Sequence, residues 1–466
     1  MNAITAPSAP PRGFKRVLRR LDLTLFTVCA ILVVDQLAAS ASIGTSAIFW
    51  WIFTLLLFFI PYGFMTAELA SAYPEQGGIY AWVRRAFGRR WGARASWLYW
   101  VNVALWIPAV YLLFSGMLAQ LLGIELGLWP QILIAIALTW ATVYVNIVAL
   151  EIGKWIPNIG ALLKAVIMLT IGLAGIWHAM RYGVANDFSG TALLPKLSDG
   201  LGFLPVIVYS FLGFELMSGA AEEMKNPARD IPRTIVLSGA LITAFYLFGT
   251  IGILIALPVD QISLVEGLVD TLEKLFGDSA MGRAVVLVLG FAALYTFFAN
   301  LVTWTMGANR SIAEAAYRDD MPATLGKLHA EHRTPVSAAW ITGVVATVVI
   351  IVYGSVAATA EDLFWQLFKF SSIIFLLPYL MMFPAFLRLR RVEPDHPRPY
   401  VVPGGRGGAI TITGLCMLFV IQAIVLFFWV PGEPFLTIDT LTLVIGTALV
   451  LLIGEALIPR RKEIAE

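Results

Sequence analysis

The residues that demand a chemical explanation stand inside apolar runs long enough to cross a membrane. Asp35 and Gln36 follow Leu32-Val33-Val34 and precede the small residues Ala38, Ala39, Ser40, Ala41 and Ser42. Glu215 lies in Tyr209-Ser210-Phe211-Leu212-Gly213-Phe214-Glu215-Leu216-Met217-Ser218-Gly219, bracketed by two glycines. A carboxylate at mid-bilayer costs roughly 2.5–3.5 kcal/mol, and a glycine costs about 1 kcal/mol against alanine in a helix interior. Such features persist where backbone lines a polar cavity rather than facing lipid. Both segments therefore read as broken helices. Unwinding exposes amide N–H groups, which attract a carboxylate, and carbonyls, which attract an ammonium or a cation. The alternative is that Asp35 and Glu215 are structural ions buried against neighbouring helices.

Seven further residues bear on the same chemistry or on gating. Lys164, in Gly160-Ala161-Leu162-Leu163-Lys164, reads as a proton carrier, as a fixed cation standing where a bound cation would sit, or as a lysine snorkelling to the membrane edge. Lys369, in Gln366-Leu367-Phe368-Lys369, either pairs with Asp35 or Glu215, contacts a substrate carboxylate, or snorkels outward. Asn300 and Trp304 are one helical turn apart and share a face; the indole either covers a bound substrate or packs. Glu68, Glu222 and Glu223 fall at the ends of apolar runs. With Arg84, Arg85 and Arg229 nearby, they read as gating or structural ion pairs.

The elements that must hold these residues are membrane helices. The 466 residues are 59% hydrophobic and 13% charged, against roughly 25% charged for a soluble domain. About 20 apolar residues are needed to span a bilayer as helix. Twelve such spans are expected, near 22–43, 45–72, 92–122, 131–149, 157–179, 201–222, 234–257, 284–313, 335–355, 362–388, 409–430 and 438–458. Basic residues test this count, because cytoplasmic loops are enriched in Lys and Arg. With the N-terminus inside, 26 of the 32 Lys and Arg residues fall on the cytoplasmic side. Only Arg181, Lys196, Lys274 and Arg283 fall opposite. Both tails are thus expected in the cytoplasm, and the basic, Pro-rich segment before Leu21 does not read as a cleaved signal. The net charge of +2 says little about partners. Ser263–Phe276 reads as an amphipathic helix over the outer mouth, either a structural cap or a lid. The run Pro403–Gly408 reads as a turn entering the eleventh span.

Several classes lack their residues. No Walker motif argues for ATP-driven work, and no nucleophile–base pair or metal-ligand spacing argues for an enzyme. Cys29 and Cys416 lie in apolar runs and read as packing residues. Neither a cofactor nor a nucleic-acid partner is expected; the partners are a small molecule, protons and the lipid bilayer, and the chain is expected to act as a monomer or homodimer. Asp35 and Glu215 are 180 residues and five spans apart. An odd number of spans inverts the second unit relative to the first, and paired broken helices at matching positions point to a transport site. The chain divides accordingly into a tail at 1–20, a first unit at 21–180, a second at 201–388, two last spans at 409–458 and a tail at 459–466. A non-transporting receptor is the reading of another class.

Two segments carry a family resemblance. Ala67-Glu68-Leu69-Ala70-Ser71-Ala72-Tyr73-Pro74-Glu75-Gln76-Gly77-Gly78-Ile79-Tyr80-Ala81-Trp82-Val83 and Gly213-Phe214-Glu215, followed by Glu223-Met224-Lys225-Asn226-Pro227-Ala228-Arg229-Asp230-Ile231-Pro232, resemble the amino acid/polyamine/organocation superfamily. Trp304 with Arg310, Met321-Pro322 and Arg398-Pro399-Tyr400-Val401-Val402-Pro403-Gly404-Gly405 are more similar to its bacterial glutamate/GABA antiporter branch. The resemblance covers spans one to eleven. It implies an all-α, LeuT-like bundle of 5+5 inverted repeats with discontinuous helices 1 and 6 and two C-terminal helices, in the bacterial inner membrane. It also implies a secondary active transporter of amino acids, by exchange or proton coupling, or a polyamine or monoamine transporter of the same fold. By position, Asp35 to Ser40 match the family's broken segment of span one, Gly213 to Glu215 that of span six, and Trp304 a tryptophan of span eight. The candidate site is accordingly Asp35, Gln36, Ala38, Ala39 and Ser40, Tyr209, Gly213, Phe214 and Glu215, and Asn300 and Trp304, with Lys164, Lys369 and Glu223 in coupling or gating. Asp35 stands where those antiporters carry uncharged aromatic chemistry, and Lys164 resembles the span-five lysine of proton-coupled relatives. Two carboxylates near the site favour a cargo with at least one ammonium.

Overall fold

A computed structural model describes residues 20–34, 36–75, 77–148, 155–195, 202, 204–223, 226–263, 266–277, 279–432, 434 and 437–459. Among these, all regular structure is helical. Ten helices are long and apolar enough to cross a membrane. Two interrupted ones complete the twelve. Span 1 is α1 (Arg20–Ile31) followed, after a break, by α2 (Gln36–Ala41). Span 6 is α9 (Leu204–Ser210) followed by a tight 3-10 stretch, Phe214–Glu223.

Between them run span 2, made of α3 (Ala47–Thr54) and α4 (Ile60–Ala72), a short helix α5 (Ile79–Phe87), and spans 3 to 5, α6 (Arg89–Leu122), α7 (Leu128–Val148) and α8 (Trp155–Tyr182). After span 6 come α10 (Pro227–Ala256), a short helix α11 (Gly267–Phe276), and α12 (Ala280–Tyr317), α13 (Val336–Gly354) and α14 (Ala360–Val392). Spans 11 and 12 are α15 (Gly405–Phe428) and α16 (Ile438–Leu457). The order broken helix, helix, short helix, three helices therefore occurs twice. α5 and α11 hold the same place in the two units, between the second and third spans, and inversion puts them at opposite ends of the bundle.

The sequence patterning anticipates α11 but not α5, which falls in a segment read only as a loop. Its signals are short-range: Gly77 and Gly78 have φ of 108° and 52° before it, and Gly88 has φ of 91° after it. Those left-handed conformations, open to glycine at little cost, confine a nine-residue helix that runs beneath α14 and α6. Trp82 is buried there and donates its indole N–H to the Tyr73 carbonyl at 3.2 Å. At 38 residues α12 is about 57 Å long at 1.5 Å per residue, so it runs well past the bilayer core.

Span 2 widens to a π-helical turn over Leu55–Phe59, just ahead of Pro61. Proline offers no N–H to the preceding turn, and a wider turn re-registers the ladder around it. Phe59 and Tyr62, on either side of Pro61, both stack on Phe214 of span 6.

Candidate functional site

Each break leaves helix-terminal backbone groups that need partners, and neighbouring spans supply them. Where α1 stops, the carbonyls of Cys29, Ala30 and Ile31 are each capped by a different helix. Lys164 Nζ of α8 donates to the Cys29 carbonyl at 2.6 Å, Trp304 Nε1 of α12 to Ala30 at 2.9 Å, and Tyr246 Oη of α10 to Ile31 at 2.7 Å. The Tyr246 hydroxyl also accepts the Val33 N–H at 2.8 Å. Lys164 is fully buried and also donates to Asn300 Oδ1 at 2.9 Å. It is thus held by span 8 as well as span 1.

At the second break, Gly213 has φ of 130°, a conformation side chains rarely adopt. A Cβ there would also come within 3.0 Å of both Ile31 and Trp304. Tyr62 Oη accepts the N–H groups of Gly213 and Phe214 at 3.1 and 2.9 Å and donates to Glu215 Oε2. Tyr99 of α6 and Tyr379 of α14 each donate to Glu215 Oε1 at 2.8 Å. Glu215 is 1% exposed, and three hydroxyl donors offset much of the cost of burying it.

An aromatic wall stands over this carboxylate. Phe375 is its hub, with ring centroids 5.2 Å from Trp304, 5.3 Å from Tyr209, 5.2 Å from Tyr379 and 6.2 Å from Tyr99. A carboxylate whose tyrosine donors belong to an aromatic cluster suits a cationic group, which gains from both the charge and the quadrupoles. The site is therefore built from spans 1, 2, 3, 6, 8 and 10.

The structure brings together Tyr209, Gly213, Phe214, Glu215 and Trp304, and joins Asn300 to them through Lys164. It places other expected residues elsewhere. Ser40 Oγ lies 3.4 Å from Thr250 Oγ1 of α10 and donates to the Leu37 carbonyl, so it fastens α2 rather than facing Glu215. Ala38 packs toward Gly267 of α11; Ala39 and Gln36 are buried in the same short helix. Lys369 lies over the Trp365 ring, 5.2 Å from its centroid, beside a small cavity lined also by Asp439 of α16. It does not join Glu215, because its direction on α14 is toward span 12. Asp35 and the Glu222 and Glu223 side chains lie outside the described residues.

Tyr62, Tyr99, Tyr246 and Tyr379 escape the sequence reading because tyrosine counts as apolar in a hydropathy pattern. The available signal is that a hydroxyl in mid-span must find a partner. Near the arginine-rich end, Glu68 pairs with Arg390 and Arg398 and accepts the Val402 N–H at 2.7 Å, rather than meeting Arg84 or Arg85. Arg84 and Arg89 both grip Asp320 at 2.6 Å. Arg85 joins Glu75 and Glu393, and its guanidinium holds the Glu393 carboxyl below its ordinary range. Of the three acids expected in ion pairs at span ends, Glu68 is so paired, with other arginines than expected; the pairs of Asp320, Glu75 and Glu393 are not anticipated by the sequence.

A twelve-span helical bundle with two broken helices around a buried carboxylate is the architecture of a secondary carrier. The sequence matches the amino acid permease family over residues 18–450, and the chain belongs to that family. It is 35% identical over 444 residues, covering 94% of each chain, to a probable agmatine/putrescine antiporter of Lactococcus lactis. A branched-chain amino acid permease of Bacillus subtilis is 26% identical over 93% of this chain and 92% of its own. A glutamate/gamma-aminobutyrate antiporter of Lactococcus lactis is 22% identical over 87% and 82%. The chain is thus a multi-pass membrane transporter of amino acids or amines.

Proposed function

We propose that the chain exchanges amine cargo by alternating access, with an ammonium or guanidinium group of the cargo seated between Glu215 and the wall of Tyr99, Tyr209, Trp304 and Phe375. The observation that carries this reading is the buried Glu215 carboxylate at the foot of that wall. The hydroxyls of Tyr62, Tyr99 and Tyr379 orient this carboxylate, and its negative charge would favour a cationic group of the cargo beside it. The Val33, Gly213 and Phe214 N–H groups at the breaks already have tyrosine acceptors, which favours an amine over a cargo whose carboxylate must be held there. The 35% identical relative, named for agmatine and putrescine, supports the same cargo class. Asp35, on the other broken helix, is proposed to meet a second cationic group of such a cargo.

Lys164 takes the place of a bound cation between spans 1, 5 and 8 and is proposed to carry the coupled proton where transport depends on pH. The arginine-rich end, with Arg84, Arg89, Arg390 and Arg398, faces the cytoplasm in this reading, and both termini lie there.

Counterflow tests the proposal. Proteoliposomes preloaded with putrescine should accumulate labelled agmatine, and Glu215→Gln should lower the rate by about 10- to 100-fold, the worth of one charge-assisted contact. Exchange of labelled alanine or glutamate that excess putrescine does not inhibit would overturn the amine reading. Labelled ligand that binds without accumulating would indicate a receptor.

A further inference from the structure

We propose that a phosphate-bearing anionic membrane lipid binds in the cavity between the ends of spans 10 and 11, its headgroup among Arg390, Arg391, Arg398 and Arg406 and its acyl chain along the outer face of α15. The cavity is about 970 Å³ and none of its lining residues is acidic. Arg390 and Arg398 are committed to Glu68. Among the described residues neither Arg391 nor Arg406 pairs with a carboxylate, so two uncompensated guanidinium groups border a concave space. Arginine's planar fork suits phosphate oxygens bidentately.

The residues below the arginines point to a lipid rather than a free anion. Arg406, Ile410, Gly414 and Leu418 succeed one another at four-residue steps along α15, and Ile421 and Val425 continue the row. At 100° per residue these positions fall on one face. Ile410, Leu418, Ile421 and Val425 are all substantially exposed in the bundle. Gly414 interrupts the row with no neighbour near its missing side chain, leaving a shallow channel. A cationic head above an apolar track, at the end of the bundle where arginines gather, matches an anionic phospholipid along its whole length. Basic pockets between membrane helices are known to take such headgroups.

Thermal unfolding of the full chain in detergent measures the binding, since a ligand for the folded state raises stability by mass action. Phosphatidylglycerol doped into the micelles should raise Tm above an equal mole fraction of phosphatidylcholine. The double variant Arg391→Gln/Arg406→Gln should weaken the apparent phosphatidylglycerol affinity by about 10- to 30-fold. Arg181→Gln, at the opposite end over Trp177, should leave it unchanged. An equal rise with phosphatidylcholine, or an undiminished rise in the double variant, would overturn the proposal. Inorganic phosphate that reproduces the shift at matched concentration would overturn the lipid assignment in favour of a free anion.

Discussion

Removing one oxygen atom, in Tyr62→Phe, tests whether span 6 is held open by the interaction described. The ring itself is packed against Phe58, Phe214, Tyr379 and Phe383, so phenylalanine keeps the core contacts. The hydroxyl makes three hydrogen bonds, donating to Glu215 and accepting from Gly213 and Phe214. A hydrogen bond to a charged group contributes roughly 1.5–3 kcal/mol, and each buried N–H left without an acceptor costs about 1–3 kcal/mol. The loss should therefore reach at least about 3 kcal/mol unless the break rewinds. Tyr379→Phe removes a single donor from Glu215 Oε1, which keeps Tyr99, and should cost about half as much or less. Thermal unfolding in detergent should rank wild type above Tyr379→Phe above Tyr62→Phe. A cycle with Glu215→Gln isolates the carboxylate's share from the backbone's, since coupled neighbours are not additive. Equal Tm shifts for the two tyrosine variants would refute the role given to the Gly213 and Phe214 amides. A wild-type Tm and counterflow rate for Tyr62→Phe would refute the whole account of the break.

Other perturbations address separate parts of the site. Lys164→Met keeps a long side chain but removes the donors to Cys29 and Asn300; uptake into proteoliposomes should lose its pH dependence, and retained pH dependence removes the lysine from proton coupling. Gly213→Ala forces a side chain into a φ of 130° and against Trp304 and Ile31; transport should fall at least tenfold with a stability loss of roughly 1–3 kcal/mol, read by counterflow and Tm. Asp270 of α11, which accepts from Gln120 Nε2 at 2.7 Å, has its pKa raised chiefly by burial. A raised carboxyl pKa means the folded state holds the proton more tightly, so the penalty is absent below the unfolded value, near 3.9, and grows as pH rises through the folded one. Asp270→Asn should accordingly match wild type in Tm at low pH, exceed it as pH rises above the unfolded value, and keep a constant lead once the folded value is passed; a gap that shrinks with rising pH contradicts this.

How much of this was legible in the sequence depended on whether a residue announced itself by cost. Glu215 between two glycines is expensive in a membrane helix, and the expense located the second break. Asp35 marked the first in the same way, and the helix does stop at Ile31 and resume at Gln36. Lys164 and Asn300 were conspicuous as isolated polar residues, but their meeting across α8 and α12 is a tertiary fact. Lys369 was equally conspicuous, yet its direction around α14 is set by packing against span 12, which no pattern within span 10 encodes. The four tyrosines were silent because ring and hydroxyl are averaged into one hydropathy value. Ser40 misled for the opposite reason: a hydroxyl beside a break invites a ligand role, whereas its nearest use is a bond to its own helix and to Thr250.

The donors at the two breaks come from separate groups of helices, and this bears on how the carrier moves. Span 1 is capped by Lys164, Tyr246 and Trp304 from spans 5, 7 and 8. At span 6, Tyr62 of span 2 accepts the Gly213 and Phe214 N–H groups, while Tyr99 and Tyr379 of spans 3 and 10 donate to the Glu215 carboxylate. Tyr246 is shared, since it also reaches the Ser210 carbonyl of span 6 at 3.4 Å. Trp304 touches both breaks as well, bonding to Ala30 while crowding Gly213. A displacement of one broken helix against the other would keep most caps intact and load these two residues first. The Tyr246 contact to Ser210, the longest of this set, is the one such a motion would release at least cost, whereas the Trp304 ring can slide past a glycine but not past a side chain. The absence of a Cβ at Gly213 is already a requirement of the backbone and of the close approach of Trp304 and Ile31. Trp304 therefore belongs both to the aromatic wall and to the caps of span 1.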